Sequence, residues 1–230
     1  MELHFINLKH IYPGPDAELR PVLDIPSWRL GDRQQVLLKG VSGSGKTTLF
    51  NIAAGLMHPT EGEVYYGDQS LYALSEAARD RFRAQNIGYV FQNHYLLPTL
   101  SAIENVIMPL AFGGEIARSQ WKTRAADMLH RMGLANHLHY RPAKMSAGQR
   151  MRVAIARALV SNPAVLLADE PTASLDAAAA DTVMDEIQQI CRENGAILIV
   201  ASHDPALDKR FDTIAHLADQ IIRIQEKTPA

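Results

Sequence analysis

Cysteine is almost absent. Cys191 is the only one in 230 residues, so no disulfide can close within the chain, and the usage fits a reducing compartment. Long apolar runs are missing too; none approaches the roughly 18 residues of a membrane span. The opening Met1-Glu2-Leu3-His4-Phe5 lacks the basic-then-apolar order of a signal peptide. The expectation is a chain that is soluble by itself and reaches a membrane only through another chain. Neither sign of charge is in excess: the formal net charge is -2. The richest basic cluster, Arg79, Arg81 and Arg83, is interrupted by Asp80, so no nucleic acid or other polyanion is expected as a partner. Hydrophobic residues make up 47% and charged residues 21%, as in ordinary globular chains long enough for one large domain or a core with a subdomain. Only a short tail follows the last expected strand, so no regulatory domain is expected there.

What is present is a phosphate-binding pattern. Gly40-Val41-Ser42-Gly43-Ser44-Gly45-Lys46-Thr47-Thr48 has the form G-x-x-x-x-G-K-T. It follows an expected strand, Gln35 to Lys39, and opens an expected helix from Lys46 to about Gly55. Apolar Leu49, Ile52, Ala53 and Leu56 fall at i, i+3, i+4 and i+7 of that helix. This is the context the pattern requires. Glycines let the backbone curl so that several N–H groups point into one cavity. The helix N-terminus adds positive partial charge beneath the same anion. Lys46 brings a full charge for β/γ-phosphates, and the Thr47 hydroxyl can ligate magnesium.

The rest of the chain alternates strand and helix, with one interruption. Residues 1 to about 12 and 22 to 28 suggest short strands around the turn signal Pro13-Gly14-Pro15-Asp16. Tyr12 closes the first of them, where packing is the ordinary role of a lone aromatic. Further strands are expected at Glu63 to Tyr66 and Asn86 to Phe91, the latter ending at Gln92, with a charged helix over 75–85. From about Asn93 to Lys144 the pattern is helical throughout. Ser101-Ala102-Ile103-Glu104 is a capping box. Ser119 to Met132 places Trp121, Ala125, Met128, Leu129 and Met132 on one face ahead of Gly133. This reads as a helical lobe whose stripe is internal packing. His130, His137 and His139 show no established metal-ligand spacing.

Ser146-Ala147-Gly148-Gln149 forms a second capping box. It is either simply a well-capped helix start or a second anion site on the Gly148 backbone and Ser146 hydroxyl. Ala164 to Ala168 is a continuous apolar run, as expected of a buried parallel strand. It ends in Asp169-Glu170, two carboxylates that are costly to bury without a cation nearby; magnesium at the phosphate loop would be that cation. Asp176 caps a helix over 177–193. Ala196 to Ala201 is another buried strand, ending in Ser202-His203-Asp204-Pro205. Thr213 to Leu217 and Ile221 to Ile224 are expected as edge strands. Lys39, Gln92, Asp169 and His203 thus all stand at C-terminal strand ends, the edge where open parallel sheets bind ligands.

On these stretches the chain resembles the nucleotide-binding subunit of an ABC transporter over nearly all its length. The resemblance places Walker A at Gly40 to Thr48 and the Q-loop glutamine at Gln92. The signature falls on Met145-Ser146-Ala147-Gly148-Gln149, Walker B on Val165 to Asp169 with Glu170 after it, the D-loop on Ser174-Leu175-Asp176, and the switch histidine on His203. Tyr12 lies where the family's adenine-stacking aromatic occurs. Gln92 to Leu100, Glu104-Asn105-Val106 and Leu167 to Thr172 are similar to the lipoprotein-releasing and macrolide-exporting type. Two positions depart from the pattern: Ala147 replaces the first signature glycine, and Ala173-Ser174 replaces the Gly-Asn common before the D-loop.

The implied fold is α/β: a P-loop, RecA-like core over 1–92 and 145–230, with an N-terminal antiparallel β subdomain and an inserted α-helical subdomain over 93–144. The implied activity is magnesium-dependent ATP hydrolysis by a head-to-tail dimer, a homodimer or a pairing with a similar ATPase. Each ATP would sit between the Walker A residues Gly40, Ser42, Gly43, Ser44, Gly45, Lys46, Thr47 and Thr48 of one subunit and Ser146, Ala147, Gly148 and Gln149 of the other, with Asp176 nearby. Thr47, Gln92 and Asp169 would hold magnesium, Glu170 would activate water, and His203 would hold the γ-phosphate. A membrane permease would be the partner, placing the chain on the inner face of the cell membrane. Tyr95-Leu96-Leu97 would form part of the groove for that partner or the core of the helical lobe. A regulatory or mechanical ABC ATPase is the alternative function. A chromosome-structuring ATPase would need a long coiled coil, which the short helical lobe lacks.

Overall fold

Alternating burial defines the first strand, and one residue resets it. Leu3 and Phe5 point inward, Asn7 adopts φ +48°, and Leu8 and His10 then take over the buried side; the pairing register shifts across this bulge. The computed structural model describes residues 1–14, 18–114 and 116–226. Its strands are β1 (Leu3–Pro13), β2 (Leu19–Leu30), β3 (Gln35–Lys39), β4 (Glu61–Tyr66), β5 (Gln69–Ser70), β6 (Ile87–Val90), β7 (Val165–Asp169), β8 (Ile197–Ala201), β9 (Thr213–Ala218) and β10 (Ile221–Glu226). Its helices are α1 (Lys46–Ala53), α2 (Glu76–Asn86), α3 (Ala102–Gly113), α4 (Arg118–Arg131), α5 (Ala147–Leu159) and α6 (Ala177–Asn194). Pro15 and Asp16 of the expected first turn, and the last four residues of the tail, lie outside the described residues.

The chain divides into two compact units, Met1–Asp80 with Ile197–Ala230, and Arg81–Ala196; α2 runs through the first boundary. In the first unit β2, β1, β4 and β5 form an antiparallel sheet in that order, with Phe5 stacked on its cross-strand partner Trp28 at 5.3 Å between ring centres. β3 is paired in parallel on both flanks, Leu38 opposite Ala201 of β8 and Lys39 opposite His216 of β9. All three strands therefore end at one edge. β9 is not an edge strand as its sequence suggested, because β10 continues the sheet antiparallel beyond it. The two-residue connection between them, Asp219-Gln220, has φ of +50° and +71°, a left-handed turn that lacks the usual Asn-Gly or Asp-Gly signal.

α1 carries Leu49, Ile52 and Ala53 fully buried, but Leu56 is 48% exposed. The helix stops at Ala53, so the expected fourth position of the apolar stripe falls beyond it. Its C-terminal carbonyls find side-chain donors: the Tyr66 hydroxyl donates to Ala53 O at 2.7 Å, and that of Tyr72 to Ile52 O at 2.6 Å and, past the helix end, to Met57 O at 2.6 Å. Burial pushes both phenols well above their ordinary range, so they remain donors.

In the second unit β6 and β7 pair in parallel, Val90 opposite Ala168, and α3 and α4 pack on α5. Ala125, Met128, Leu129 and Met132 are buried. Trp121 is only half-buried, and its indole donates to Ile116 O at 2.8 Å. Both sequence-read capping boxes are formed, at Ser101 with Glu104 and at Ser146 with Gln149. Burial pushes the Cys191 thiol up to about 12. No helix among the described residues is long and apolar enough to cross a membrane.

Asn105, 1% exposed, fastens the loop before α3. Its Oδ1 accepts from Leu97 N at 2.8 Å, and its Nδ2 donates to the carbonyls of Leu97, Leu100 and Ser101 at 3.2, 3.2 and 3.0 Å. Asn105→Leu removes every one of these bonds and takes their side-chain partner from the part-buried Leu97 N–H and Leu100 carbonyl. A loss of about 2–4 kcal/mol is expected in denaturant unfolding, and a stability within about 0.5 kcal/mol of the parent would contradict this account.

Candidate functional site

The loop after β3 has the geometry its sequence requires. Gly45, the N-cap of α1, sits at φ +103°, where a Cβ would come to 2.7 Å of Val22 Cγ1; both conformation and space demand glycine. Gly40 runs against the neighbouring strand, where a Cβ would lie 2.6 Å from Leu217 O. Lys46 reaches back along the loop, its Nζ donating to Gly40 O at 2.7 Å and to Val41 O at 3.1 Å. The first i−4 bond of α1 is Leu49 N–H to Gly45 O at 2.8 Å, so the amides before it point out of the helix end. The Ser44 hydroxyl is buried without a hydrogen-bond partner, and a Cβ at Gly43 would meet no heavy atom within 4 Å. An open, amide-rimmed cradle with an ammonium across it fits a polyphosphate.

Three other sequence-picked residues belong to the same unit. Tyr12 OH lies 3.2 Å from Thr48 Oγ1 and donates to Met57 Sδ at 3.3 Å, which ties the first strand to the loop helix. Tyr12 also stands edge-on to His10, with ring centres 4.6 Å apart. His203 follows β8 at the edge where β3 ends, and it is exposed; Ser202 N–H still donates to Leu38 O at 3.2 Å. Sequence reasoning missed an ion pair in this unit: Lys39 Nζ lies 2.6 and 2.7 Å from the two Asp208 carboxylate oxygens. No spacing rule could have joined residues so far apart in the chain.

The second unit holds the remaining candidates. Asp169 and Glu170 are 4% and 8% exposed. Glu170 takes φ +49°, a left-handed conformation that costs a non-glycine residue about 1–2 kcal/mol. Its carbonyl accepts from Ala173 N at 3.2 Å. Gln92 is exposed just past the end of β6, and the parallel register puts it at the same strand edge as Asp169. Asp176 caps α6, accepting from Ala179 N at 2.9 Å.

At Ser146 the box is reciprocal: its Oγ accepts from Gln149 N at 3.1 Å, and Gln149 Oε1 accepts from Ser146 N at 2.9 Å. The amide end of Gln149 is 3.1 Å from His137 Nε2, a partner that the sequence did not suggest. Ala147 is exposed. Gly148 is where α5 meets the segment before Asp176: a Cβ would come to 2.8 Å of Leu175 Cδ2 and 3.5 Å of Ser174 O. His94 and Tyr95 are both left-handed, at φ +58° and +44°. Their carbonyls each accept from the Arg157 guanidinium at 2.6 Å, which locks the segment after Gln92 onto α5. Burial lowers the Arg157 pKa. Burial, then the charges of Arg150 and Arg157, lower that of His94. Tyr95 is 63% and Leu97 44% exposed. His130 and His139 are exposed, and the described residues contain no group of three His, Cys, Asp or Glu able to hold a metal ion.

Comparison with known proteins points one way. A family model described as ABC transporter matches residues 23–173. The lipoprotein-releasing system ATP-binding protein LolD 1 of Caulobacter vibrioides is 40% identical over 213 residues, 92% of this chain and 90% of its own length. The macrolide export ATP-binding/permease protein MacB of Syntrophobacter fumaroxidans is 43% identical over 207 residues, 90% of this chain, and the chain spans 28% of that relative's length. The dimeric structure of the ATP-binding cassette MJ0796 in a post-hydrolysis state, bound to ADP and Pi, matches with a TM-score of 0.90 at 32% identity, covering 99% of this chain and 100% of that one.

Gly45→Ala tests the loop. The strained φ and the contact with Val22 are expected to open the cradle and weaken ATP binding at least about tenfold. Titration with a fluorescent ATP analogue reads this directly, and an unchanged affinity would show that the loop does not need glycine there.

Proposed function

The chain belongs to the ABC transporter family, and on that premise we propose that it is the ATP-hydrolysing subunit of a transporter whose membrane permease is a separate chain. The observation that carries this is the pairing, in one chain, of a phosphate loop at Gly40–Thr48 with a reciprocal Ser146–Gln149 box opening a second helix. Two anion-binding helix starts so far apart in sequence suit a nucleotide held by the loop of one copy and the Ser146 segment of the next. That a similar cassette is dimeric and bound to ADP and Pi supports a nucleotide-binding dimer.

In this reading the loop amides and Lys46 hold the β- and γ-phosphates, with Ser42, Ser44 and Thr48 shaping the loop and Tyr12 beside the base. Ser146, Ala147, Gly148 and Gln149 of the partner copy close on the γ-phosphate, and Asp176 lies along the same junction. Magnesium, when bound, neutralises charge on the phosphate oxygens, and Thr47, Gln92 and Asp169 supply the hard oxygen donors suited to it. Glu170, buried and held in a left-handed turn, orients the attacking water and takes its proton. His203 steadies the γ-phosphate as charge develops. By analogy with the family, residues 1–92 and 145–230 would supply the α/β core elements and 93–144 the helical subdomain. The permease would hold the chain at the inner face of the cell membrane, and names such as lipoprotein-releasing system and macrolide export ATP-binding/permease protein support that placement.

Glu170→Gln keeps the shape and removes the base, so kcat should fall by at least about a hundredfold, within the range for losing a general base, while ATP-bound dimers accumulate. Steady-state hydrolysis and size-exclusion chromatography measure the two effects, and full turnover by the variant would remove Glu170 from this role. Replacing Ser146 with Trp should lower hydrolysis, and hydrolysis per chain should rise with protein concentration in dilute solution. A rate independent of concentration at dilutions where size-exclusion chromatography shows a monomer would count against a shared site. Movement of substrate in vesicles with the permease separates transport from a purely regulatory or mechanical use of ATP.

A further inference from the structure

We propose that Lys39 and Asp208 are positioning residues that set the place of His203 relative to the phosphate loop; this rests on the reading of His203 given above. Lys39 is the last residue of β3, and Gly40 opens the loop directly after it. Asp208 lies in the 3-10 helix Pro205–Arg210, which comes after β8 and His203.

The segment between them is fastened to consecutive residues of one strand. At its start Ser202 N–H donates to Leu38 O at 3.2 Å. At its end the Asp208 carboxylate takes both bonds from Lys39 Nζ, at 2.6 and 2.7 Å. Between these points Asp204 N–H donates to Ser202 Oγ at 3.1 Å, and Asp204 Oδ1 accepts from Ala206 N at 2.9 Å. Leu207 is buried and holds the apolar side of the short helix. His203 is itself exposed, and the backbone bridge that carries it fixes where its side chain begins. A charge-assisted bond to a strand-end lysine is suited to holding that bridge, because its donor belongs to the same rigid strand that delivers Gly40. The two groups are 21% and 38% exposed, so the pair is only partly screened by solvent. Displacing a catalytic group by about 1 Å can lower a rate by on the order of a hundredfold, so a strap of this kind has a measurable effect on turnover.

The experiment is steady-state magnesium-dependent ATP hydrolysis by the full chain, as wild type, His203→Ala, Lys39→Met, Lys39→Arg, Asp208→Asn, and Lys39→Met combined with Asp208→Leu. Lys39→Met and Asp208→Asn are each expected to lower kcat about five- to twentyfold while the KM for ATP stays within about twofold. Lys39→Arg should keep most of the rate, since it can restore both bonds. The double variant should be no slower than the slower single one. A Lys39→Met kcat equal to wild type, with His203→Ala impaired, overturns the proposal and leaves the role of His203 standing. A KM that rises as steeply as kcat falls also overturns it, because the lysine would then support ATP binding by the loop. Full activity of His203→Ala in an active wild-type background overturns both readings together.

Discussion

Backbone hydrogen bonds hold β3 on both flanks, and at Lys39 that ladder ends. The loop beyond Lys39 must turn sharply without losing the support of the strands beside it. Gly40 does so with no room for a side chain against Leu217 O, and Gly45 does so at φ +103° against Val22. The strand is rigid because Val36, Leu37 and Leu38 are fully buried, and this rigidity places the loop amides, the Lys46 ammonium and the start of α1. Tyr12, Tyr66 and Tyr72 then hold α1 from outside by their hydroxyls. The loop from Gly40 to Thr48 is thus less a flexible ribbon than the forced continuation of a buried strand.

The second unit solves a different problem. Its polar groups must stay fixed near apolar helices, and they do so by local bonding. Ser101 and Ser146 close their boxes within three residues, and Asp176 caps the next helix start. Arg157 pins two left-handed carbonyls after Gln92, and Gly148 lets Leu175 approach α5. The Ser146 segment therefore touches the Asp176 segment through its backbone, so these two candidate regions form one surface of this unit. Glu170 sits at the start of the same connection, in a conformation that its surroundings must maintain.

Local signals were legible wherever the physics was local. Capping boxes, the apolar run ending in Asp169 and the glycine spacing of the loop each act over a few residues, and each appears where its residues predicted. Failures came where neighbours from elsewhere decide. Leu56 matched a helical stripe, yet α1 had already ended, with Tyr66 bonding its last carbonyl. The residues of β9 resemble an edge strand, yet β10 covers it through a turn made by Asp219-Gln220 without glycine.

Sequence alone determined that this chain has a glycine-rich loop between strand and helix, a second capped helix start, and polar groups at the ends of buried strands, because spacing and residue type suffice for these. Only tertiary structure decided that Lys39 pairs with Asp208, that Gln149 meets His137, that Arg157 grips the chain after Gln92, and that Gly148 packs on Leu175. These contacts join residues through folded backbone rather than through period or motif. The opening pattern from Gly40 to Thr48 is therefore a statement about chemistry, and the strands and straps around it determine where that chemistry is held.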